Sequence, residues 1–239
     1  MPTPGSDIGT RRESALHRAL KFRYSGPEGH TEQVWGDYVC DGITETGEII
    51  EVQTGSFGPL REKAKKMAAA GPLRIVYPVI VIKYIETYGA DGTLIRRRRS
   101  PRRGSPWDLF RSLLYAPELP RLKGLSIELA LIDALEKRIQ DGKGSWRRGG
   151  TSIAGRELTA WRDSIILKKP GDYRRFIPPA LARNFTAGTL AEGAEISPEL
   201  ARKTLYVLNK IGVVERTGKK GRAFTYRLRG RVPGDKKKR

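Results

Sequence analysis

The spacing of apolar and polar positions changes several times along the chain, and each change marks an element. Arg11 to Tyr24 sets Leu16 and Leu20 four residues apart, on one face of a helix. Val34 to Asp41 and Glu48 to Gln53 are two strand-like pieces, and the turn residues from Gly42 to Gly47 predict a hairpin between them. Leu60 to Ala70 is rich in Lys and Ala and stops at Gly71-Pro72, as a helix does. Leu73 to Tyr88 is dense in β-branched and aromatic residues and predicts a buried strand, interrupted or bent at Pro78. Ala90-Asp91-Gly92 then turns the chain into a paired strand over Thr93 to Arg99. Ser105-Pro106 opens a helix that runs to Leu114. Leu125 to Ile139 is open between strand and helix; alternation at Leu125, Ile127, Leu129 and Leu131 favours a strand in its first half. Asp141 to Gly155 reads as a basic, Gly-rich loop, Trp161 to Leu167 as helix or strand, and Lys168 to Asp172 as a linker.

A second unit follows that linker. Thr186 to Glu192 is a short helix candidate. Ser197 caps a longer helix with Pro198 at its first position, and Gly212 stops it. Ala201, Leu205, Leu208 and Ile211 form its apolar stripe. Glu199, Arg202, Lys203, Tyr206, Asn209 and Lys210 occupy the opposite face, a mixture suited to phosphates and base edges. Val213 to Arg216 and Ala223 to Leu228 read as strands joined by the basic turn at 218–222.

Composition narrows the partners. Lys and Arg total 46 against 26 acids, a net charge of +20, which draws polyanions to the surface. No apolar run approaches the length of a membrane span, the first ten residues lack signal-peptide order, and the expected location is cytoplasmic. One cysteine, Cys40, allows neither an intrachain disulfide nor a Cys-based zinc site. With only two histidines, a metal would sit among carboxylates, which favours Mg²⁺ or Mn²⁺. The acids gather early: residues 1–60 hold nine acids and five bases.

Helix, turn, helix and hairpin from Phe185 to Arg229 resemble a winged helix-turn-helix. The resemblance implies reading roles for Arg202, Lys203, Tyr206 and Asn209 in the major groove of double-stranded DNA. It implies phosphate roles for Lys219, Lys220 and Arg222. The earlier block, Asp41 followed after nine residues by Glu51-Val52-Gln53, with a helix before it and a helix and strands after, resembles the PD-(D/E)xK nuclease superfamily. The block also resembles uncharacterised bacterial proteins with a similar Ile-Glu-Val-Gln-Thr stretch joined to a winged helix. This resemblance implies a restriction-endonuclease-like mixed sheet flanked by helices. It also implies Mg²⁺ (or Mn²⁺) held by Asp41, Glu51 and the Val52 carbonyl, a water oriented by Gln53, and a further acid at Glu13. Gln53 stands where the family places lysine, so Lys63 or Arg61 on the next helix is left to supply a cation.

The expected organisation is therefore α/β: a nuclease-like domain over 1–170, a smaller winged-helix domain over 171–230, and a disordered basic tail over 231–239. The expected function is Mg²⁺-dependent hydrolysis of DNA phosphodiester bonds. The alternative is a non-catalytic DNA-binding regulator on an inactive nuclease-like fold, and RNA binding is a third class. Arg97, Arg98, Arg99, Arg102 and Arg103, within the run from Arg96, are expected on phosphates, because a folded body bearing so many like charges gains from a polyanion. Trp146, beside Arg147 and Arg148, is expected in the core, and His17 at a surface or half-buried position. A homodimer stays open, although no heptad or exposed apolar helix argues for one.

Overall fold

The computed structural model describes residues 14–25, 31–35, 38–181 and 184–230. Glu13 and the tail 231–239 lie outside the described residues. The chain forms α1 (Ala15–Ser25), β1 (Thr31–Trp35), β2 (Tyr38–Ile43), β3 (Ile49–Val52), α2 (Arg61–Ala70), β4 (Leu73–Tyr88) and β5 (Leu94–Arg99). It continues through α3 (Leu109–Leu113), β6 (Leu125–Gln140) and β7 (Thr151–Leu167). The result is an α/β fold with a large mixed sheet in the order β1-β2-β3-β4-β6-β7, β5 pairing with β4. The β1-β2-β3 meander is antiparallel, β4 runs parallel to both β3 and β6, and β7 closes antiparallel on β6.

Alternation along β4 sorts the two faces. Leu73, Ile75, Tyr77 and Val79 join Ala64 and Met67 of α2 and Leu109, Phe110 and Leu113 of α3 in the larger core. Val76 faces the other way and packs with Ile50, Val52, Ala130 and Ile132 beneath Leu16 and Leu20 of α1. The helices thus cover opposite faces of the same strands.

Several local expectations are corrected here. The piece from Val34 to Asp41 is two strands, β1 and β2, paired as a hairpin. Strand β4 runs unbroken through Pro78, with its register shift later, between Ile80 and Ile82. Proline is tolerated because the missing N–H would point toward the side where β3 has ended. On that side Val76 accepts the Gln53 N–H at 2.8 Å and Ile80 accepts the Gly104 N–H at 2.8 Å. Gly104 sits so close that a Cβ there would lie 2.5 Å from the Ile80 carbonyl. Leu125 to Gln140 is strand throughout, and the 141–155 loop ends early, because β7 starts at Thr151 and takes in Trp161 to Leu167. The expected linker gives way to a 3₁₀ segment, Pro170–Phe176, whose Tyr173 and Phe176 are buried against Phe110.

Past that segment come β8 (Phe185–Thr186), α4 (Ala187–Gly193), α5 (Pro198–Lys210), β9 (Val214–Lys220) and β10 (Ala223–Leu228), with a three-stranded sheet in the order β8-β10-β9. Thr186 caps α4 and the Ser197 hydroxyl caps α5 by accepting the Leu200 N–H at 3.2 Å. Gly212, at φ 80°, takes the left-handed conformation that ends α5. Strand β8 was not foreseen, and the turn expected at 218–222 is shorter, since Gly218 to Lys220 continue β9. Among the described residues no helix is long and apolar enough to cross a membrane.

Candidate active site and nucleic-acid interface

The register between β2 and β3, Gly42 with Ile50 and Ile43 with Ile49, stops one step short of Asp41 and Glu51. Beyond that point side chains replace the ladder. The Val52 N–H donates to Asp41 Oδ2 at 2.8 Å. The two strands splay with one acid on each.

Each acid is met by a different helix. From α1, His17 Nε2 donates to Asp41 Oδ2 at 3.2 Å and Lys21 Nζ lies 2.9 Å from Oδ1. From α2, Lys63 Nζ lies 2.5 Å from Glu51 Oε1 and donates to the Val39 carbonyl at 2.6 Å. Lys63 thus closes on the buried Glu51 Oε1 as an ion pair. Burial alone would raise the Asp41 pKa, but hydrogen bonds from His17, the Val52 N–H and Lys21 override it and hold the acid at about 2. Burial raises the pKa of Glu51, the nearby Asp41 charge adds to that, and Lys63 offsets only part. The pair is therefore split into one firmly ionised acid and one that takes a proton more readily.

Of the remaining residues expected here, Gln53 donates its side-chain N–H to the Ser56 carbonyl, which ties it into the turn after β3. Arg61 does not reach the acids; it pairs with Glu118 and Glu62. Lys63 is thus the cation that α2 supplies. Among the described residues no group of three or more His, Cys, Asp or Glu side chains is arranged to hold a metal. The fit to a hard divalent ion rests instead on the donor set, the carboxylate oxygens of Asp41 and Glu51, on which His17, Lys21 and Lys63 now sit. His17 and Lys21 were the residues the sequence did not bring to this site. Their four-residue spacing on one helix face was the available signal.

The basic residues lie on three surfaces. Arg96 to Arg99 run along β5, where Arg97 lies 3.6 Å from Glu86 and over the Tyr84 ring; Arg102 and Arg103 follow, exposed. Arg202 and Tyr206 are exposed on α5, while Lys203 pairs with Glu199 at 2.6 Å and Lys210 lies over the Tyr206 ring. Asn209 departs from its expected role, because it donates to the Val214 carbonyl at 3.2 Å and ties α5 to β9. On the β9–β10 hairpin, Arg216 and Lys219 lie over the Phe224 ring, and Lys220 and Arg222 are exposed. A cleft at the side of β4 vacated by β3 is lined by Lys83, Arg102, Arg111 and Arg156 together with Asp108. Arg111 reaches from there to within 3.8 Å of Glu199 in the first turn of α5.

Residues 14–168 match the family described as Domain of unknown function (DUF8091), so the match ends where β7 does. The chain is also similar to a protein of Treponema pallidum (strain Nichols) described as an uncharacterized protein. The two are 31% identical over 230 residues, 95% of this chain and 89% of the relative. That likeness reaches into the helices and hairpin after residue 170, which the family match leaves out. No solved structure matches.

Proposed function

The chain belongs to the DUF8091 family, and from that premise we propose that it is a double-stranded-DNA-binding protein whose α/β part hydrolyses phosphodiester bonds with Mg²⁺ or Mn²⁺, on the PD-(D/E)xK pattern. The observation that carries the reading is the acid pair at the splay of β2 and β3, with Lys63 brought onto Glu51 from α2. The element order supports it: a helix, a hairpin bearing Asp41, a strand bearing Glu51, a helix, then further strands. In this reading Asp41, Glu51 and the Val52 carbonyl hold the ion, which would acidify a bound water and stabilise charge on the scissile phosphate. Lys63 balances the charge of Glu51 where the family's lysine would stand. His17 and Lys21 keep Asp41 ionised. The α4–α5 pair and the three-stranded sheet support a winged-helix reading of the C-terminal part. There Arg202, Lys203 and Tyr206 face the groove and Lys219, Lys220 and Arg222 the phosphates, with Asn209 withdrawn to a structural bond.

One observation favours the second reading, a non-cutting DNA-binding regulator. His17 and Lys21 on Asp41, and Lys63 on Glu51, already neutralise both acids without a metal. Nicking of supercoiled plasmid in Mg²⁺ or Mn²⁺ separates the two. Under the nuclease reading, Asp41→Ala and Glu51→Ala each lower the nicking rate by about a hundred-fold or more while gel-shift affinity survives. Tight binding with no nicking in either metal leaves the regulator.

A further inference from the structure

Strands β4 and β6 are parallel, so the turns that follow them leave the sheet at the same end. Tyr88 pairs with Leu94 on one side and with Ile139 on the other, and Ile139 pairs with Ser152. Four strands abreast therefore bring the 89–93 turn and the 141–150 turn side by side, with neighbouring strands about 5 Å apart. Counting thirteen residues along β4 from Ile75, the partner of Glu51, this end lies about 40 Å from the acid pair.

What gathers there is unusual. Trp146 is 83% exposed, against the expectation of a core position, and the Arg147 guanidinium lies 5.5 Å from its ring centre. The turn that carries it is not loose. The Gly144 N–H donates to the Gly150 carbonyl at 2.7 Å, the Arg148 N–H to Ser145 at 2.8 Å, and Arg148 Nε to the Thr151 carbonyl at 3.2 Å. Gly144 passes so near Thr151 that no side chain fits. An ordered, stitched turn thus holds an indole out in solvent. On β5, two strands from β6, Leu94 and Ile95 are half exposed, and Arg96 and Arg98 have no acidic partner among the described residues. The two nearby acids are already engaged, Asp91 by Thr93 and Asp141 by Ser152 and the Lys143 N–H.

We propose that the two turns form a second DNA contact in which Trp146 stacks on an unstacked base while Arg96, Arg98, Arg147 and Arg148 hold the flanking phosphates. An exposed indole among cations matches nucleic acid, because every base offers a face to stack on and the backbone supplies the charge. A straight duplex of about twelve base pairs spans from the acid pair to the turns. At its far end this surface meets DNA where stacking is broken, at a gap, a flap or a frayed end. The proposal rests on the DNA reading above and gives it a substrate class, duplex with a local single-stranded break.

The test compares the full-length protein with Trp146→Ala and Trp146→Phe on two probes, a duplex carrying a short single-stranded gap and the same duplex fully paired. Trp146→Ala lowers affinity for the gapped probe about ten-fold and leaves the paired duplex within about two-fold, and Trp146→Phe restores most of the loss. An unchanged melting temperature shows that the exposed site was altered without unfolding. Equal binding of the gapped probe by wild type and Trp146→Ala overturns the proposal, as does an equal loss on both probes. Wild type that binds neither probe overturns the DNA reading itself, and this contact with it.

Discussion

The two halves of the long strands differ more than their continuous hydrogen bonding suggests. In the near half, Leu73, Ile75 and Val76 of β4 and Ile127, Leu129 and Ala130 of β6 are fully buried, with α1 on one face and α2 and α3 on the other. In the far half no helix among the described residues supplies such a cover, although Ile85 and Ala134 are still buried there. There Glu136 meets Lys83 at 3.1 Å, Arg138 at 2.5 Å and Arg156 at 2.9 Å; Asp133 meets Arg162 at 2.6 Å and Lys137 meets Glu157 at 2.7 Å. Length explains the difference. A helix of ten or eleven residues covers about 16 Å, whereas a sixteen-residue strand runs about 53 Å. Once the helices end, cross-strand ion pairs are what side chains can offer each other in water. The near half holds the acid pair still, and the far half projects a basic surface beyond it.

The sharpest way to break this contrast is to remove one group from each half. Ile75→Ala leaves a cavity in a fully covered layer and costs about 3–4 kcal/mol by denaturant titration. Glu136→Ala leaves three cations without their shared acid and costs about 2–3 kcal/mol, less than a fully buried pair because the cations are partly solvated. If Glu136→Ala matches wild type, the ion pairs do not hold the far half.

Acid gives the next effect. Although burial would raise it, Glu136 is held at about 2 by Arg138, Arg156 and Lys83, and Asp41 at about 2 by its own partners. A carboxylate depressed in the folded state stabilises fully above its unfolded pKa, near 4, and loses that contribution as pH falls toward 2. Melting temperature therefore drops across that window, and Glu136→Gln flattens the drop. A wild-type curve without any slope there contradicts the assignment. The smallest effect belongs to Ile95→Ala at the far end, where half exposure limits the change to within about 0.5 kcal/mol. A larger loss in the same denaturant titration means that the end of the sheet is packed after all.

Much of this was legible locally. Ser197-Pro198 and Gly212 bound α5, and β-branched runs mark β3 and β4, because caps and strand preferences depend on neighbours a few residues away. The spacing of Asp41 and Glu51 likewise brought both acids to one place. The partners of those groups were not legible. Sequence pattern presents Asn209 as a base-reading amide, but its side-chain N–H donates to the Val214 carbonyl; it presents Trp146 as core, but its turn holds the ring outward. His17, Lys21 and Lys63 reach the acid pair from helices on opposite faces of the sheet.

By itself the sequence determined the α/β class, most elements, the positive surface and the identity of two acids, all of which follow from short-range pattern and composition. Only the tertiary structure decided which cation meets which acid, which aromatic stays in water and which turns lie side by side. Those outcomes depend on sheet order and on how far each helix reaches along a strand, and neither is written in any local window.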